Sequence, residues 1–338
     1  MTQQIDIEAL PDFPGLRFRH FAGAADYPGM HAVNVAAELA NGTEDMTSID
    51  EFRNNYEHLV NCDPYRDVTI VEADGRIVAY SRVFWSELNE GGRSYNCFGF
   101  VAPEWRRRGI ATALLPRNEA LLRATAAEHH GVAPKWLESE GIETNAGNVA
   151  LLENAGYRAV RWFYDMVRPT LDEIPDVPLP ERIGVRPVTR GQYRSIWEAA
   201  TEAFRDHWGE RDESEEAWAR FRDEPSYADP SLWRIGWEGD QIAGLVINTV
   251  PVDANAHFGR QRGYVDMVAV RRPWRRRGLA RALLADGLRA MRDAGLTSAN
   301  LGVDTENPTG ALRLYEGLGF APDKRFVSYR KPLEGTDR

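Results

Sequence analysis

The spacing of apolar residues in the second half of the chain alternates between the periods typical of helices and strands. Leu279, Leu283 and Met291 recur on one side of a predicted helix, whereas short apolar runs bounded by turn residues predict strands. The predicted strands are Gly184–Val188, Leu232–Trp237, Ile242–Val250, Tyr264–Val270, Ala299–Val303 and Phe326–Arg330, and the predicted helices are Gln192–Arg205, Glu215–Arg222, Gly278–Asp293 and Pro308–Gly317.

The first half shows a similar succession of elements. Asp74-Gly75 between two apolar runs predicts a hairpin. The other predicted elements are strands at Leu16–Phe21, Ser94–Val101, Trp136–Ser139 and Ala159–Val167, and helical regions at Ala25–Leu59, Gly109–Glu128 and Val149–Asn154. Strands that alternate with helices predict an α/β fold with a mixed sheet in each half.

Two stretches of the chain repeat one another. VAPEWRRRGIATALL at residues 101–115 and VRRPWRRRGLARALL at 270–284 share ten of fifteen residues at a spacing of 169. Each is followed by a second similar segment, NVALLENAGY ending at Tyr157 and GALRLYEGLGF ending at Phe320. This repetition predicts two homologous domains.

A proline-rich segment separates the two repeats. Residues 169–183 contain four prolines, which remove backbone donors and disfavour helix, so we expect an extended linker. The predicted domains are therefore residues 1–168 and 184–338, on either side of the linker.

Composition narrows the possible classes of protein. The 338 residues are 43 % apolar and 27 % charged, as in an ordinary globular protein, and no apolar run approaches the roughly 20 residues that span a bilayer. Cys62 and Cys97 are too few for a disulfide framework or a zinc cluster, and no basic leader precedes an apolar run. We expect a cytoplasmic protein that binds no metal and no membrane, as a monomer or homodimer.

The net charge of −10 argues against a nucleic-acid partner, because such partners require a basic face. It is compatible with attraction of a cationic small molecule.

The repeated Arg-Arg-Arg-Gly turn is suited to a diphosphate. The first amides of a helix have no partner within the helix and favour negative charge, and Gly109 and Gly278 let the backbone approach a phosphate. Ala111 and Ala280 keep the first turn of each helix close to the strand. A solvated basic surface is the alternative for one such turn, but two equivalent copies favour a ligand site.

These residues resemble a known family. Arg106, Gly109 and Ala111, like Arg275, Gly278 and Ala280, match the Arg-x-x-Gly-x-Ala acyl-CoA-binding signature of the GNAT superfamily of N-acetyltransferases. Asn307, Leu314-Tyr315-Glu316 and Gly319-Phe320 are similar to its second motif. The layout resembles that of tandem acetyltransferases of the mycothiol synthase type.

The resemblance implies a mixed sheet that splays open between its fourth and fifth strands and holds acetyl-CoA there, with no metal. Asn307 would orient the CoA arm or cap the following helix. In the second half the implied CoA-binding residues are Val268, Ala269, Val270, Arg275, Arg276, Arg277, Gly278, Leu279, Ala280 and Arg281. In the first half they are Gly99, Val101, Arg106, Arg107, Arg108, Gly109, Ile110 and Ala111.

Acetyl transfer to an amine requires proton removal from the amine and protonation of the thiolate. The resemblance places the general acid at Tyr315, since a phenol with a pKa near 10 stays protonated at neutral pH; core packing is the alternative. Asp266 is the candidate base, and strand alternation predicts that it shares a face with Val268 and Val270. A purely structural hydrogen bond is the alternative for Asp266. The family also suggests the Val268 amide as an oxyanion donor.

The first half lacks both chemical groups. Leu152 stands where Tyr315 does, and Cys97 stands where Asp266 does. We therefore expect the first domain to be degenerate and Cys97 to be a small buried residue rather than a nucleophile.

Asp206, His207 and Trp208 lie in a segment that covers the acceptor site in this family, and they suit a cationic acceptor; an exposed acidic loop is the alternative. The leading hypothesis is an acetyl-CoA-dependent N-acetyltransferase acting on a primary amine of a small molecule by direct attack in a ternary complex. An acyl-CoA sensor and a protein or peptide N-acetyltransferase remain alternatives.

Overall fold

The computed structural model describes residues 5, 13–44, 46–131, 134–307 and 309–333. The chain divides into two compact units. The first unit comprises Met1–Arg161, Gly209–Asp212 and Phe326–Arg338, and the second comprises Trp162–Trp208 and Glu213–Arg325. Within the described residues, no helix is long and apolar enough to cross a membrane.

The first unit is built on a mixed sheet in the order β1-β2-β3-β4-β5-β13, and the short strand β8 pairs with β3. Its strands are β1 Leu16–His20, β2 Val68–Ala73, β3 Arg76–Leu88, β4 Arg93–Val101, β5 Lys135–Ile142, β8 Glu210–Arg211 and the Phe326–Pro332 part of β13, Ala321–Pro332. Its helices are α1 Tyr27–Asn41, α2 Ile49–Glu57, α3 Pro64–Asp67, α4 Ile110–Glu128 and α5 Ala146–Asn154.

The sheet of the second unit has the order β7-β9-β10-β11-β12-β6. Its strands are the end of β6, Arg158–Arg168, then β7 Gly184–Val185, β9 Arg234–Glu238, β10 Gln241–Thr249, β11 Arg262–Val270 and β12 Ser298–Asp304. Its helices are α6 Tyr193–Phe204, α7 Glu215–Arg222, α8 Val252–Phe258, α9 Leu279–Asp293 and α10 Ala311–Glu316. Short 3-10 helices occur at Ala24–Asp26, Pro103–Trp105, Arg190–Gln192, Pro225–Tyr227, Pro230–Leu232 and Arg272–Trp274.

Apolar clusters cover both faces of the second sheet. Leu283 and Met291 of α9 pack on one face with Leu301, as the helical spacing predicts. Ile196 of α6 packs on the other face with Leu245. The predicted α/β class with two tandem mixed-sheet domains is therefore confirmed.

The parallel strand pair at the centre of each sheet separates before its strands end. β11 pairs with β12 only from Arg262–Ser298 to Val265–Leu301, and β4 pairs with β5 only as far as Asn96–Glu138. Five residues at the end of β11 and five at the end of β4 therefore face an opening. The splay predicted between the fourth and fifth strands occurs in both units.

The last strand of each half of the sequence completes the sheet of the unit that is formed mainly by the other half. Residues 163–168 of β6 pair with β12 in the second unit, and residues 326–332 of β13 pair with β5 in the first. The compact units therefore differ from the contiguous ranges 1–168 and 184–338. An alternating pattern identifies the faces of a strand but not its neighbours.

The proline-rich segment is extended but packed. Leu171 is only 1 % exposed in the core of the second unit, and Leu179 packs against the same core. The carbonyl of Pro175 accepts a hydrogen bond from Arg289 Nη1 of α9 at 3.1 Å. This segment is thus a structural part of the second unit.

Three predicted helices differ from the observed ones by three or more residues. The helix predicted at Val149–Asn154 begins at Ala146. The region Ala25–Leu59 contains α1 and α2, because Gly42 adopts a φ of 76° and ends α1 in a left-handed cap. The helix predicted from Pro308 begins at Ala311, and Pro308 itself lies outside the described residues.

The placement of β6 can be tested by a substitution that creates a cavity in the core of the second unit. Met166 is 0 % exposed in the core that α9 covers, so Met166→Ala should lower the free energy of unfolding by about 2–5 kcal/mol. Val160→Ala, at a 38 % exposed position of the same strand, should change it by less than about 0.5 kcal/mol. Urea unfolding followed by tryptophan fluorescence measures both, and equal effects would contradict this placement.

Candidate active site

The two arginine-rich turns have the same backbone conformation. Each follows a 3-10 helix at the end of the separated strand. Arg107 and Gly109 have φ angles of 62° and 82°, and Arg276 and Gly278 have 64° and 81°. Alternation of left- and right-handed residues points successive amides into one concavity, which is a typical anion-binding arrangement.

The turn ends in a free helix N-terminus. Leu279 and Ile110, the first residues of α9 and α4, are buried and anchor the helices, whereas Gly278 and Gly109 are exposed. Apart from Gly278 itself and its two chain neighbours, no described residue has an atom within 4 Å of the position that a Cβ at Gly278 would occupy. The residues of the turn therefore fit the diphosphate of coenzyme A.

Arg106 and Arg275 connect the two turns to neighbouring elements through hydrogen bonds. In each unit the guanidinium donates to the last carbonyl of the separated strand and to a carbonyl of the first long helix. The acceptors are Val101 and Ala37 for Arg106, at 3.4 and 2.9 Å, and Val270 and Ala203 for Arg275, at 2.9 and 3.0 Å. The following two arginines of each turn are exposed.

Asp266 lies in a β-bulge. Ile247 pairs with Met267 but Asn248 pairs with Val265, which leaves Asp266 as the extra residue of β11. The prediction that Asp266 shares a face with Val268 and Val270 is wrong, because the bulge resets the alternation. Those two valines pack towards the core around α9, whereas the exposed carboxylate of Asp266 accepts a hydrogen bond from the hydroxyl of Tyr227.

Tyr227 is a candidate site residue that sequence analysis missed. Its carbonyl accepts from the Tyr193 hydroxyl at 2.6 Å, and its ring lies 4.9 Å from Phe221 and 5.2 Å from Trp233. Burial and the Asp266 carboxylate hold the pKa of Tyr227 well above its usual value. The Glu-Pro-Ser-Tyr segment predicts a helical turn, but no local signal connects it with a residue 39 positions later.

Tyr315 is buried near the end of α10, where its ring lies 6.2 Å from that of Phe320. Burial raises the pKa of Tyr315 to about 12, so the phenol is protonated at neutral pH. Leu152 occupies the same position in the first unit, since Tyr157 N donates to its carbonyl as Phe320 N donates to that of Tyr315. The backbone hydrogen bonds at the ends of α5 and α10 thus support the alignment of Leu152 with Tyr315.

Cys97 differs from Asp266 in its surroundings. The register between β3 and β4 is unbroken, so β4 has no bulge at Cys97. The thiol is 3 % exposed, and burial raises its pKa to about 11. A buried, protonated thiol is a poor nucleophile.

The three residues predicted to contact the acetyl acceptor have different partners in the structure. The carboxylate of Asp206 accepts from Arg272, at 2.9 Å from Nε, and from Arg275, and these guanidinium groups hold its pKa well below its usual range. His207 packs on Phe204 with ring centroids 4.4 Å apart, and burial lowers its pKa, so the imidazole is neutral at pH 7. Trp208 lies 6.1 Å from the ring of Phe163. Asp206 thus forms ion pairs with the arginine-rich turn.

A second set of polar side chains lies on the face of β12 opposite α9. Leu301 and Val303 of β12 face the core, so Asn300 and Asp304 face the other way. Asn300 Nδ2 lies 3.5 Å from Asp165 on β6, while its Oδ1 is buried and has no hydrogen-bond partner among the described residues. Burial raises the pKa of Asp165 to about 6. These residues, which sequence analysis missed, add negative charge on this face.

Asn307 does not cap the following helix, because the N-cap of α10 is Gly310. Its Oδ1 accepts from the amide of Thr309 at 2.8 Å, within the loop that precedes the helix. Among the residues described, no group of three or more histidine, cysteine or acidic side chains could hold a metal ion.

Two stretches of the chain, residues 35–157 and 193–320, match the model of the acetyltransferase (GNAT) family. They cover more than half of the chain, so it belongs to the GNAT family and is an N-acetyltransferase.

Curated relatives and solved structures match this chain over most of its length. Proteins named mycothiol acetyltransferase from Geodermatophilus obscurus and Salinispora arenicola are each 30 % identical to this chain, covering 79 % of it and 82 % of their own length. A GCN5-related N-acetyltransferase from Sphaerobacter thermophilus superposes with a TM-score of 0.69 at 28 % identity, over 96 % of this chain and 97 % of that one. A tandem GNAT protein from the clavulanic acid biosynthesis pathway has a TM-score of 0.61 at 16 % identity, over 95 % of this chain and 100 % of that one, and shows the fold alone.

The role of Asp206 predicts a pH dependence of stability. Since its folded pKa lies below the unfolded value of about 3.9, its ion pairs stabilise the fold above that pH and lose this effect as the pH falls further. Asp206→Asn should therefore lower the free energy of unfolding at pH 7, by about 1 kcal/mol or less, and the difference from wild type should shrink towards pH 3. Urea unfolding at several pH values measures it; a difference independent of pH would contradict the assignment.

Proposed function

We propose that this protein transfers the acetyl group of acetyl-CoA to a primary amine of a small molecule, and that the second unit carries out the reaction. The observation that supports this most directly is the placement of Asp266 in the bulge of the separated strand, bonded to Tyr227. That strand leads into a turn whose exposed amides suit a diphosphate. Direct attack in a ternary complex is proposed because no buried nucleophile accompanies these groups in the described part of this site.

Bound acetyl-CoA supplies an activated acetyl group as a thioester. The turn around Gly278 and the first amides of α9 would hold its diphosphate, and the exposed Arg276 and Arg277 would add attraction for phosphate. The unpaired end of β11, Val268–Val270, would hydrogen-bond the amide groups of the pantetheine arm. The amide of Val268 is the proposed donor to the carbonyl oxygen as it gains charge.

Asp266 is the proposed base. It would take the proton of the acceptor ammonium, directly or through water, and release a neutral amine for attack. Tyr227 acts as a positioning residue, because its hydroxyl holds the carboxylate in one orientation and stabilises the charged form. Tyr315 is the proposed acid, since its raised pKa keeps the proton that the leaving sulfur requires.

The first unit is proposed to bind CoA without transferring acetyl. Its turn repeats the conformation of the second, which supports binding of the diphosphate. Leu152 and the buried Cys97 replace the two proposed proton-transfer groups. This difference favours a single centre of acetyl transfer.

The acceptor is proposed to be a small, cationic amine. Asp266, Asp165 and Asp304 lie on the face of the second sheet opposite α9, and their charge suits an ammonium group. The relatives' name, mycothiol acetyltransferase, also supports a small-molecule acceptor over a protein. Activity on peptides and none on free amines would instead support the protein acetyltransferase hypothesis.

The diphosphate turn can be tested with a matched pair of glycine variants. Gly278 and Gly295 lie at opposite ends of α9, with φ angles of 81° and 89° and open space around each. Gly278→Glu and Gly295→Glu strain the backbone equally, but only Gly278→Glu places a negative charge in the proposed diphosphate-binding site. Calorimetry with CoA should show affinity at the second unit reduced at least about tenfold by Gly278→Glu alone.

Gly109→Glu should remove a separate CoA site in the first unit. Normal binding to the Gly278→Glu protein at two sites would contradict the proposed role of the turn.

The proton-transfer roles can be tested by steady-state kinetics of thiol release over a panel of small amines. Asp266→Asn and Tyr315→Phe should each lower kcat by about 10²–10⁴-fold, the range of general acid–base effects, while Asp293→Asn at the exposed end of α9 should have no effect. Tyr227→Phe should have a smaller effect on kcat and should move the acidic limb of the kcat/KM profile to higher pH, because the carboxylate loses a donor to its charged form.

Unchanged turnover in both Asp266→Asn and Tyr315→Phe would overturn these assignments. Absence of thiol release with every amine, together with tight CoA binding, would favour the sensor hypothesis.

A further inference from the structure

One arginine of the first unit lies among aromatic rings, and no acidic side chain of the described residues is paired with it. The guanidinium carbon of Arg82 on β3 is 4.6 Å from the ring centroid of Phe98, 5.2 Å from that of Tyr56 and 5.3 Å from that of Phe84. Within the described parts of the chain, Arg82 forms no ion pair with a carboxylate. We call these four residues the arginine cage.

Two donors of the arginine cage have no acceptor among the described residues. Arg82 Nε is buried without a hydrogen-bond partner there. The Tyr56 hydroxyl, on a side chain only 6 % exposed, has Arg82 and Tyr80 beside its oxygen but no acceptor for its own proton. A buried unpaired donor is costly, and contact with aromatic faces recovers only part of the cost for a cation. The missing component is therefore a group that supplies acceptor oxygens and negative charge.

The arginine cage lies at the opening of the first sheet. Arg82 pairs directly with Phe98, which belongs to the five residues of β4 that have separated from β5. Arg82, Phe84 and Phe98 are all partly exposed, so a small molecule can reach them from solvent. Phe98 packs on the side of the sheet that carries α1 and α2.

This side is distinct from the diphosphate turn, since Val101 at the end of the same strand packs with the core around α4. A ligand in the arginine cage would thus leave the turn free.

The corresponding positions of the second unit have different chemistry. Ile247 pairs with Met267, three residues before the end of β11, just as Arg82 pairs with Phe98, three residues before the end of β4. Ile247 is 0 % exposed and part of an apolar cluster. The cation is thus specific to the unit that lacks the proposed proton-transfer groups, whereas the second unit has a carboxylate, Asp266, at its opening.

We propose that the arginine cage is a binding site for a small molecule with a carboxylate attached to a flat apolar body. The carboxylate accepts hydrogen bonds from Arg82 Nε and the Tyr56 hydroxyl, and the apolar body lies against Phe84 and Phe98. A carboxylate is favoured over a phosphate because the site offers one guanidinium among apolar walls, too little positive charge for a dianion. This site lies outside the proposed acetyl-transfer centre.

A purely structural role for Arg82 has opposite consequences. If Arg82 were a packing element held by its aromatic neighbours, removing its charge would destabilise the protein. If it is kept for a ligand, Arg82→Met retains the unbranched side chain, removes an uncompensated charge and leaves the unfolding midpoint unchanged or raised.

The test uses the full-length protein with benzoate as the anionic probe and benzamide as its neutral counterpart. Ligand-observed NMR and calorimetry measure the Kd for Arg82→Met and Tyr56→Phe, with Arg17→Met on the exposed face of β1 as the control, and thermal unfolding is followed in parallel. We expect benzoate to bind the wild type and the control equally, with a Kd at least about tenfold weaker for Arg82→Met and weaker for Tyr56→Phe. Benzamide should not bind, and benzoate should raise the unfolding midpoint of the wild type but not of Arg82→Met.

Equal affinity of Arg82→Met and wild type for benzoate overturns the proposal. So does the absence of benzoate binding to the folded wild type, or a lowered midpoint of Arg82→Met without any benzoate response. Loss of CoA binding is not expected for any of these variants, which separates this site from the diphosphate turn.

Discussion

The central constraint on this structure is that one pair of parallel strands in each sheet stops pairing before it ends. Beyond Val265 in β11 and Asn96 in β4, the backbone groups on one side of the strand face an opening instead of a neighbouring strand. Polar backbone groups need partners, so such an opening suits a ligand with amide groups of its own. The helix that follows each strand brings its free N-terminal amides to the same end, beside an arginine that holds the turn in place.

A single extra residue distinguishes the two units at the position of Asp266 and Cys97. In β11 the bulge turns Asp266 away from the core around α9, where Tyr227 holds its carboxylate. In β4 the register is regular, and Cys97 remains inside. A bulge costs one unpaired residue in the ladder, but it can place a charged group at a cleft without burying it. The proposed division between a transferring and a non-transferring unit depends on this local difference as much as on residue identity.

The two openings also differ in charge. Asp266 of β11 and Asp304 of β12 lie on the separated ends of the strands that border the second opening, which suits an amine, whereas Arg82 among aromatic rings makes the first one cationic. Duplication has thus kept the same turn conformation in both units while the side chains beside each opening diverged. This divergence is consistent with the proposal that the first unit binds a ligand of its own without transferring acetyl.

Much of this could be predicted from the sequence, because repeats, turns and helix caps are local. The ten identities between residues 101–115 and 270–284 indicated two domains and both turns, and the Gly-Tyr and Gly-Phe helix ends aligned Leu152 with Tyr315. Tertiary structure alone decided that β6 completes the sheet of the second unit and β13 that of the first, and that a bulge exposes Asp266. It also decided that Tyr227 donates to Asp266, that Asp206 pairs with Arg272, and that Arg82 lies among aromatic rings. The physical reason is that strand pairing and long-range hydrogen bonds join residues far apart in the chain, and an alternating pattern specifies a face without specifying the neighbour that covers it.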